Sequence, residues 1–287
     1  MPQSVDTPVI AIGQLNTLQV LRRRDPGAFL DGGVFGTILL PQRYVPDNCQ
    51  DGDLVEVFVY LDSEDQLIAT TETPKLMVGQ IGCLRVAELS PVGAFLDWGL
   101  PKDLLLPFSE QRHPAEEGKR YLVRAYLDNT NRLAATTKLD KYLDVQPPRY
   151  RRHQKVELLI AERTDLGYKA IINQTHWGLI HHPDLFQPLR YGQPLHGFIK
   201  QQREDGKIDL LLEEPGYAPV GNLTEQILQR LEHEGGFLAL SDRSSPEQIT
   251  RLFGVSKKKF KMAIGALYKQ RKITIEAEGI RLLTTDA

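Results

Sequence analysis

The chain has 287 residues, 41% hydrophobic and 25% charged, which is enough apolar content for packed cores and too much length for one small domain. Lys and Arg number 35 against 37 Asp and Glu, a net charge of −2 that excludes a uniformly basic nucleic-acid coat but not a local basic patch. Cys49 and Cys83 supply neither a disulfide framework nor a CxxC metal pair, no apolar run approaches the ~18 residues of a membrane span, and residues 1–6 lack signal-peptide character, so a reduced cytoplasmic protein is expected.

From the N-terminus onward the chain repeats itself. Residues 1–76 carry 5 basic and 11 acidic side chains, with an Arg-rich segment before Gly27. Val55, Val57, Val59 and Leu61 alternate with Glu56, Phe58 and Tyr60, the period of a half-buried strand. The block Gly27–Asp31 recurs as Gly93–Asp97, Ile38–Pro41 as Leu104–Pro107, Gly52–Leu61 as Gly118–Leu127 and Leu67–Thr71 as Leu133–Thr137, all at one offset of 66 residues. A weaker third copy, with Gly167 and Gly178-Leu179-Ile180-His181, follows about 74 residues after the second. Turn-rich tips such as Asp62–Asp65 and Asp128–Asn131 predict a closing hairpin. Four or five short strands in ~60–65 residues must close on themselves to protect their edges, which predicts small OB-type barrels.

The second copy resembles a known module. The run Gly82–Asp97, then Leu104–Glu110, then Val123–Asp128 with Arg132, Leu133 and Lys138, is similar to the S-one-type OB unit, the RNA-binding module repeated in the largest protein of the small ribosomal subunit. Copy three departs from it in carrying Lys169 where the others have Phe29 and Phe95. Between copies two and three, Pro147–His153 reads as a stiff linker with three arginines, a phosphate contact or a plain solvated linker.

Beyond Glu213–Gly216 the pattern becomes helical. Leu223, Ile227, Leu228 and Leu231 form an apolar stripe. Ser245-Pro246-Glu247-Gln248 is a helix start, Gly254 a stop and Ser256 the next cap, before a helix whose Phe260, Ala263, Ile264 and Leu267 face a core. Ile273, Ile275, Ile280 and Leu282 around Glu278-Gly279 predict a hairpin. This order is that of a winged helix. The expected fold is mainly β with a C-terminal α+β domain: OB barrels over 1–74, 75–145 and 146–216, and a winged helix over 217–287. Over roughly residues 9–284 the chain resembles the conserved virulence factor B (YitL-like) family, which implies RNA binding and a regulatory, non-catalytic role.

The chemistry to weigh is cationic and aromatic. No acidic residue lies between Glu247 and Glu276, whereas Lys257, Lys258, Lys261, Tyr268 and Lys269 do, a pattern suited to phosphate contact; the alternative is a solvated helix face. Single strands are held by base stacking on aromatics beside cations, which nominates Phe29, Phe95, Arg124 and Tyr126 in copies one and two, and Lys169, His181 and Phe198 in copy three. The alternative for Phe29 and Phe95 is burial by a neighbouring barrel. Copies two and three are expected to outrank the acidic first copy, so that a chain beginning near Lys75 keeps most of the affinity. His176, His181 and His182 lack the partners of a metal site, and no nucleotide-binding or hydrolase motif occurs. The expectation is therefore a non-enzymatic reader of single-stranded RNA that needs no cofactor, touches no membrane and acts as a monomer. A DNA-binding transcription factor and a protein-interaction scaffold are the alternatives.

Overall fold

A computed structural model describes residues 9–185, 188–213 and 220–283 of a chain that divides into two compact units, Met1–Leu143 and Asp144–Ala287. Residues 1–6 and the module boundary expected at 216/217 lie outside the described residues.

The first unit holds two five-stranded barrels. Barrel 1 is β1 (Leu15–Arg24), β2 (Gly27–Asp31), β3 (Thr37–Pro41), β4 (Leu54–Leu61) and β5 (Leu67–Thr70). Barrel 2 is β6 (Ile81–Ser90), β7 (Gly93–Asp97), β8 (Leu104–Pro107), β9 (Arg120–Leu127) and β10 (Leu133–Thr136). The second unit begins with barrel 3: β11 (Lys155–Thr164), β12 (Gly167–Ile172), β13 (His176–His181), β14 (Pro194–Gln202) and β15 (Ile208–Leu211). All three barrels are closed with one strand order, in which the third strand pairs parallel with the fifth. Each first strand carries a bulge at the same place, after Val20, Val86 and Ile160, which supplies the bend that a barrel this small needs.

Alternation decides what fills each barrel. Val55, Val57 and Val59 point inward with Leu30, Ile38 and Leu40. Phe58 and Tyr60 point the other way, yet both are buried, because barrel 2 packs against them. Phe58 meets Trp98 edge-on with centroids 5.7 Å apart, and Trp98 is only 2% exposed. Side chains of this size each contribute about 1.5–3 kcal/mol on burial, so barrels 1 and 2 form one body. Gly13 lies against barrel 2 with no room for a side chain: a Cβ there would stand 2.2 Å from Val78.

The winged helix comprises α1 (Val220–His233), β16 (Phe237–Leu238), α2 (Pro246–Phe253), α3 (Lys257–Lys269), β17 (Ile273–Ile275) and β18 (Ile280–Leu282). Ser245 and Gln248 form a reciprocal capping box at the start of α2, and Gly254 ends it in the left-handed conformation at φ 66°. The Ser256 side chain accepts the Lys259 N–H at the start of α3. Ile227, Leu231, Ile249, Phe260, Ile264 and Leu267 make a core of their own. No described helix is long and apolar enough to cross a membrane.

Candidate nucleic-acid interface

Pairing across β-strands two, three, five and four lays one row of residues over the same outer face of each barrel. The row reads Phe29, Leu39, Ile68, Tyr60 in barrel 1 and Phe95, Leu105, Ala134, Tyr126 in barrel 2. In barrel 3 it reads Lys169, Leu179, Asp209, Gln201. Thus the aromatic row of the first two barrels becomes polar and charged in the third.

In barrel 2 the row is enclosed. Phe95 and Tyr126 are half-buried and line a crevice of about 360 Å³, whose opposite wall is Tyr60, Leu61, Ser63 and Asp65 of barrel 1. Arg132 Nε donates to Asp65 Oδ1 at 2.8 Å, and Lys102 Nζ donates to the Asp62 carbonyl at 2.8 Å, tying the two walls together. Burial, with Glu110, Tyr142 and Asp128 nearby, pushes the Tyr126 phenol up. Arg124 does not line this crevice: its guanidinium lies 4.2 Å from the Tyr142 ring. Phe95 is thus half-buried, in a crevice that faces barrel 1. In barrel 1, Phe29 instead sits beneath two guanidiniums, those of Arg22 and Arg24, at 4.9 and 5.2 Å.

In barrel 3 the row lies in a groove of about 970 Å³. Its floor is Trp177 and Leu179, its lips Leu166 (66% exposed) and Pro147-Pro148, and its cations Lys169, Arg203 and Lys207. Lys169 Nζ stands 3.8 Å from the Trp177 ring centroid. The segment before the barrel forms a wall because it is pinned to β13: Asp144 Oδ1 accepts the Trp177 N–H at 3.0 Å, and the Asp144 N–H donates to the Thr175 carbonyl at 2.9 Å. Asp209, 4% exposed at its side chain, anchors the polar groups. Arg203 donates to it twice, from Nε at 2.9 Å and Nη2 at 2.8 Å, and Gln201 donates at 2.6 Å. His181 Nε2 lies 2.8 Å from its other oxygen. Burial pushes the Asp209 carboxyl up, but the hydrogen bonds from Arg203, Gln201 and His181 outweigh it and hold the group at about 2. His181 is thus committed to fixing Asp209. Phe198 is not brought to this groove: it pairs with Lys155 and Leu211. A register shift after Ile199 sets Gln201, rather than Lys200, opposite Asp209, and Lys200 bonds Asp184 at 2.6 Å.

The winged helix presents a second surface. Lys258, Lys261, Met262, Tyr268 (57% exposed) and Lys269 lie on one open stripe of α3, with Lys257 half-buried at its start. Gly265 sits in the middle of this stripe, and a Cβ there would meet nothing within 4 Å. The acid-free stretch of sequence is not acid-free in space. Asp242 Oδ2 stands 3.6 Å from Lys261 Nζ, and Glu213 pairs with Lys259, whose ammonium pKa burial lowers.

Trp177, Arg203 and Asp209 are the groove residues that sequence reasoning missed. A single Trp next to His176 gives no periodic signal, and the partners of Asp209 come together only when β13, β14 and β15 pair.

Comparison with known proteins places these parts. The S1 domain model matches residues 12–72 and 78–138, and the CvfB-like winged helix domain model matches residues 225–282. The uncharacterized protein YitL of Bacillus subtilis is 30% identical, over 91% of this chain and 90% of its own length. Conserved virulence factor B of Staphylococcus saprophyticus is 26% identical over 82% of each chain, and that of Staphylococcus epidermidis 25% over 94% of each. A solved multidomain protein with nucleic acid binding domains from Streptococcus pneumoniae is 26% identical over 95% of this chain and 98% of that one, at a TM-score of 0.42. S1 and winged-helix modules are nucleic-acid-binding modules, and binding nucleic acid is the function this chain carries at that level.

Proposed function

Since the chain belongs to the conserved virulence factor B (YitL-like) family, we propose that it binds single-stranded RNA through barrel 3 and the winged helix and acts, without catalysis, in post-transcriptional control of gene expression. The observation that carries the reading is the open groove over Trp177, with Lys169 above the ring. A base stacking there displaces Lys169 from the ring onto a phosphate. The cation–π contact given up is worth about 0.5–1 kcal/mol at an exposed site. Stacking returns about 1–3 kcal/mol per base, before the new phosphate contact is counted. Arg203 is held ready for the same strand by Asp209.

The α3 stripe adds sequence-tolerant contacts. Lys257, Lys258 and Lys269 offer charge, and Tyr268 offers a ring; Lys261 must first leave Asp242. Phe95 and Tyr126 of barrel 2 rank below them, because the crevice they line is walled by barrel 1. No single surface here is large, so affinity is built by tethering, with effective concentrations near millimolar for short linkers. The protein works in the cytoplasm as a monomer.

Gel-shift titrations of single-stranded RNA, single-stranded DNA and duplex DNA at one salt concentration test the reading. Preference for single-stranded RNA, rising with length from ~10 to several tens of nucleotides, is expected. Preference for duplex DNA would move the protein to the transcription-factor reading that an exposed α3 also allows. Failure to bind any of the three would leave an interaction scaffold.

A further inference from the structure

One turn opens all three barrels. Gly13, Gly79 and His153 occupy the same place in it, each followed by a glutamine, and all three have positive φ: 76°, 90° and 65°. In every copy the N–H of this residue donates to a carbonyl on the fourth strand, that of Val59, Ala125 or Ile199, at 2.7–2.8 Å. The amides of Val59, Ala125 and Ile199 in turn donate to the glutamine carbonyl, at 3.3, 3.1 and 3.0 Å. The barrel architecture therefore dictates the left-handed conformation, and glycine meets it at least cost. Barrel 3 alone carries a side chain there, in a conformation unfavourable for any non-glycine residue.

What that side chain joins is a cluster of cations. The three residues before the turn glycine are Ile10, Ala11 and Ile12 in barrel 1, and Leu76, Met77 and Val78 in barrel 2. In barrel 3 they are Tyr150, Arg151 and Arg152. Arg149, Arg151, Arg152, His153 and Lys155 are all exposed, and none forms an ion pair among the described residues. Nor is the segment a loose linker. The Arg151 N–H donates to Gln154 Oε1 at 3.0 Å, the Gln154 N–H returns to the Arg151 carbonyl at 3.1 Å, and the Tyr150 hydroxyl lies 2.9 Å from His176 Nδ1. Lys155 pairs with Phe198, which puts a half-buried ring beside the charges.

We propose that the turn Arg151–Lys155 is a phosphate-binding site of barrel 3, separate from the Trp177 groove, that grips the sugar–phosphate backbone of single-stranded RNA. The inference rests on the RNA-binding reading above. Its chemistry is that of exposed cations, carried on a turn whose backbone is held, meeting phosphodiester oxygens, which makes it salt-sensitive and indifferent to sequence. On this reading the exposed His153 side chain, at a position where the other two barrels have glycine, is part of the same surface.

The full chain and its Arg151→Gln, Arg152→Gln, Lys155→Gln triple variant are titrated with an unstructured oligouridylate at several salt concentrations. Each lost phosphate contact removes about 0.7 from the slope of log affinity against log salt, so the triple variant should lose about 2. Over a fourfold rise in salt the unaltered chain then loses roughly an order of magnitude more affinity than the variant. A second variant, His153→Gly, should melt at a higher temperature and yet bind RNA more weakly. An unchanged slope in a folded triple variant overturns the site, while RNA binding by the unaltered chain keeps the functional reading. Raised stability with unchanged affinity removes His153 from it. If the unaltered chain does not bind the oligouridylate at all, both readings fall together.

Discussion

Barrels 2 and 3 share a strand order, a bulge and an opening turn, but not the state of the face that OB modules use. In barrel 2 that face is aromatic and walled in by Tyr60, Leu61 and Asp65 of barrel 1. In barrel 3 it is polar, opens onto a groove and carries its aromatic one pair further along, at Trp177. The S1 domain model matches barrel 2 and not barrel 3. Likeness to a module and availability for its task are therefore separate properties: one lies in the strands, the other in what packs against them.

The contrast breaks most decisively at Trp98. Replacing it with Ala should cost about 3–5 kcal/mol, because it empties the junction with Phe58 and Tyr60. Thermal melting should show the loss in the first unit, with RNA affinity little changed. A chain beginning near Lys75, expected from sequence to keep most of the affinity, should fold poorly for the same reason, since it bares Leu76 and Trp98.

Next in size is the groove itself. Trp177→Ala should weaken single-stranded RNA binding by about 1–3 kcal/mol, some 5- to 150-fold, and Phe95→Ala by distinctly less. Equal effects in fluorescence-anisotropy titrations would erase the difference between the two faces.

Acid should also separate the barrels. Asp209 is held at about 2, below the ordinary ~3.9 of an aspartate in the unfolded chain. Its depressed pKa stabilises the second unit by about 2 kcal/mol above pH ~4, and this is lost as pH falls through 2. Melting temperatures between pH 6 and 2 should record that loss, and Asp209→Asn should flatten it. Barrel 2 has Ala134 at this position, so the carboxylate that Asp209 supplies is missing there.

The smallest effects concern α3. Lys257→Ala and Lys258→Ala should each take up to about 0.7 from the salt slope for single-stranded RNA. Lys261→Ala should take less, because Asp242 already engages that ammonium.

How much of this was legible in the sequence follows from the range of each interaction. The 66-residue offset located paired strands because the repeats keep their turns, and Asp65 and Asn131 even share a positive φ. Caps at Ser245, Gly254 and Ser256 were readable because capping is local. Phe58 and Tyr60 were not: alternation says which side of β4 they leave from, not that another barrel waits there. Lys257, Lys258 and Lys269 were visible as charge, but the partners of Lys259 and Lys261 come from Glu213 and Asp242, outside the acid-free stretch. His181 was singled out as a contact by motif, and its tie to Asp209 depends on a parallel strand pair 28 residues on.

Gly265 gives α3 a notch. Glycine within a helix is about 1 kcal/mol worse than alanine, and here an added methyl would touch nothing, so no crowding explains its presence. Between Met262 and Tyr268 the helix surface drops to bare backbone, where a ribose or a flat ring can approach the helix axis more closely than any side chain permits. Gly265→Ala should harden the domain against heat while filling the notch, so that, on the RNA-binding proposal, thermal tolerance and grip on a polymer would trade against each other through a single carbon atom.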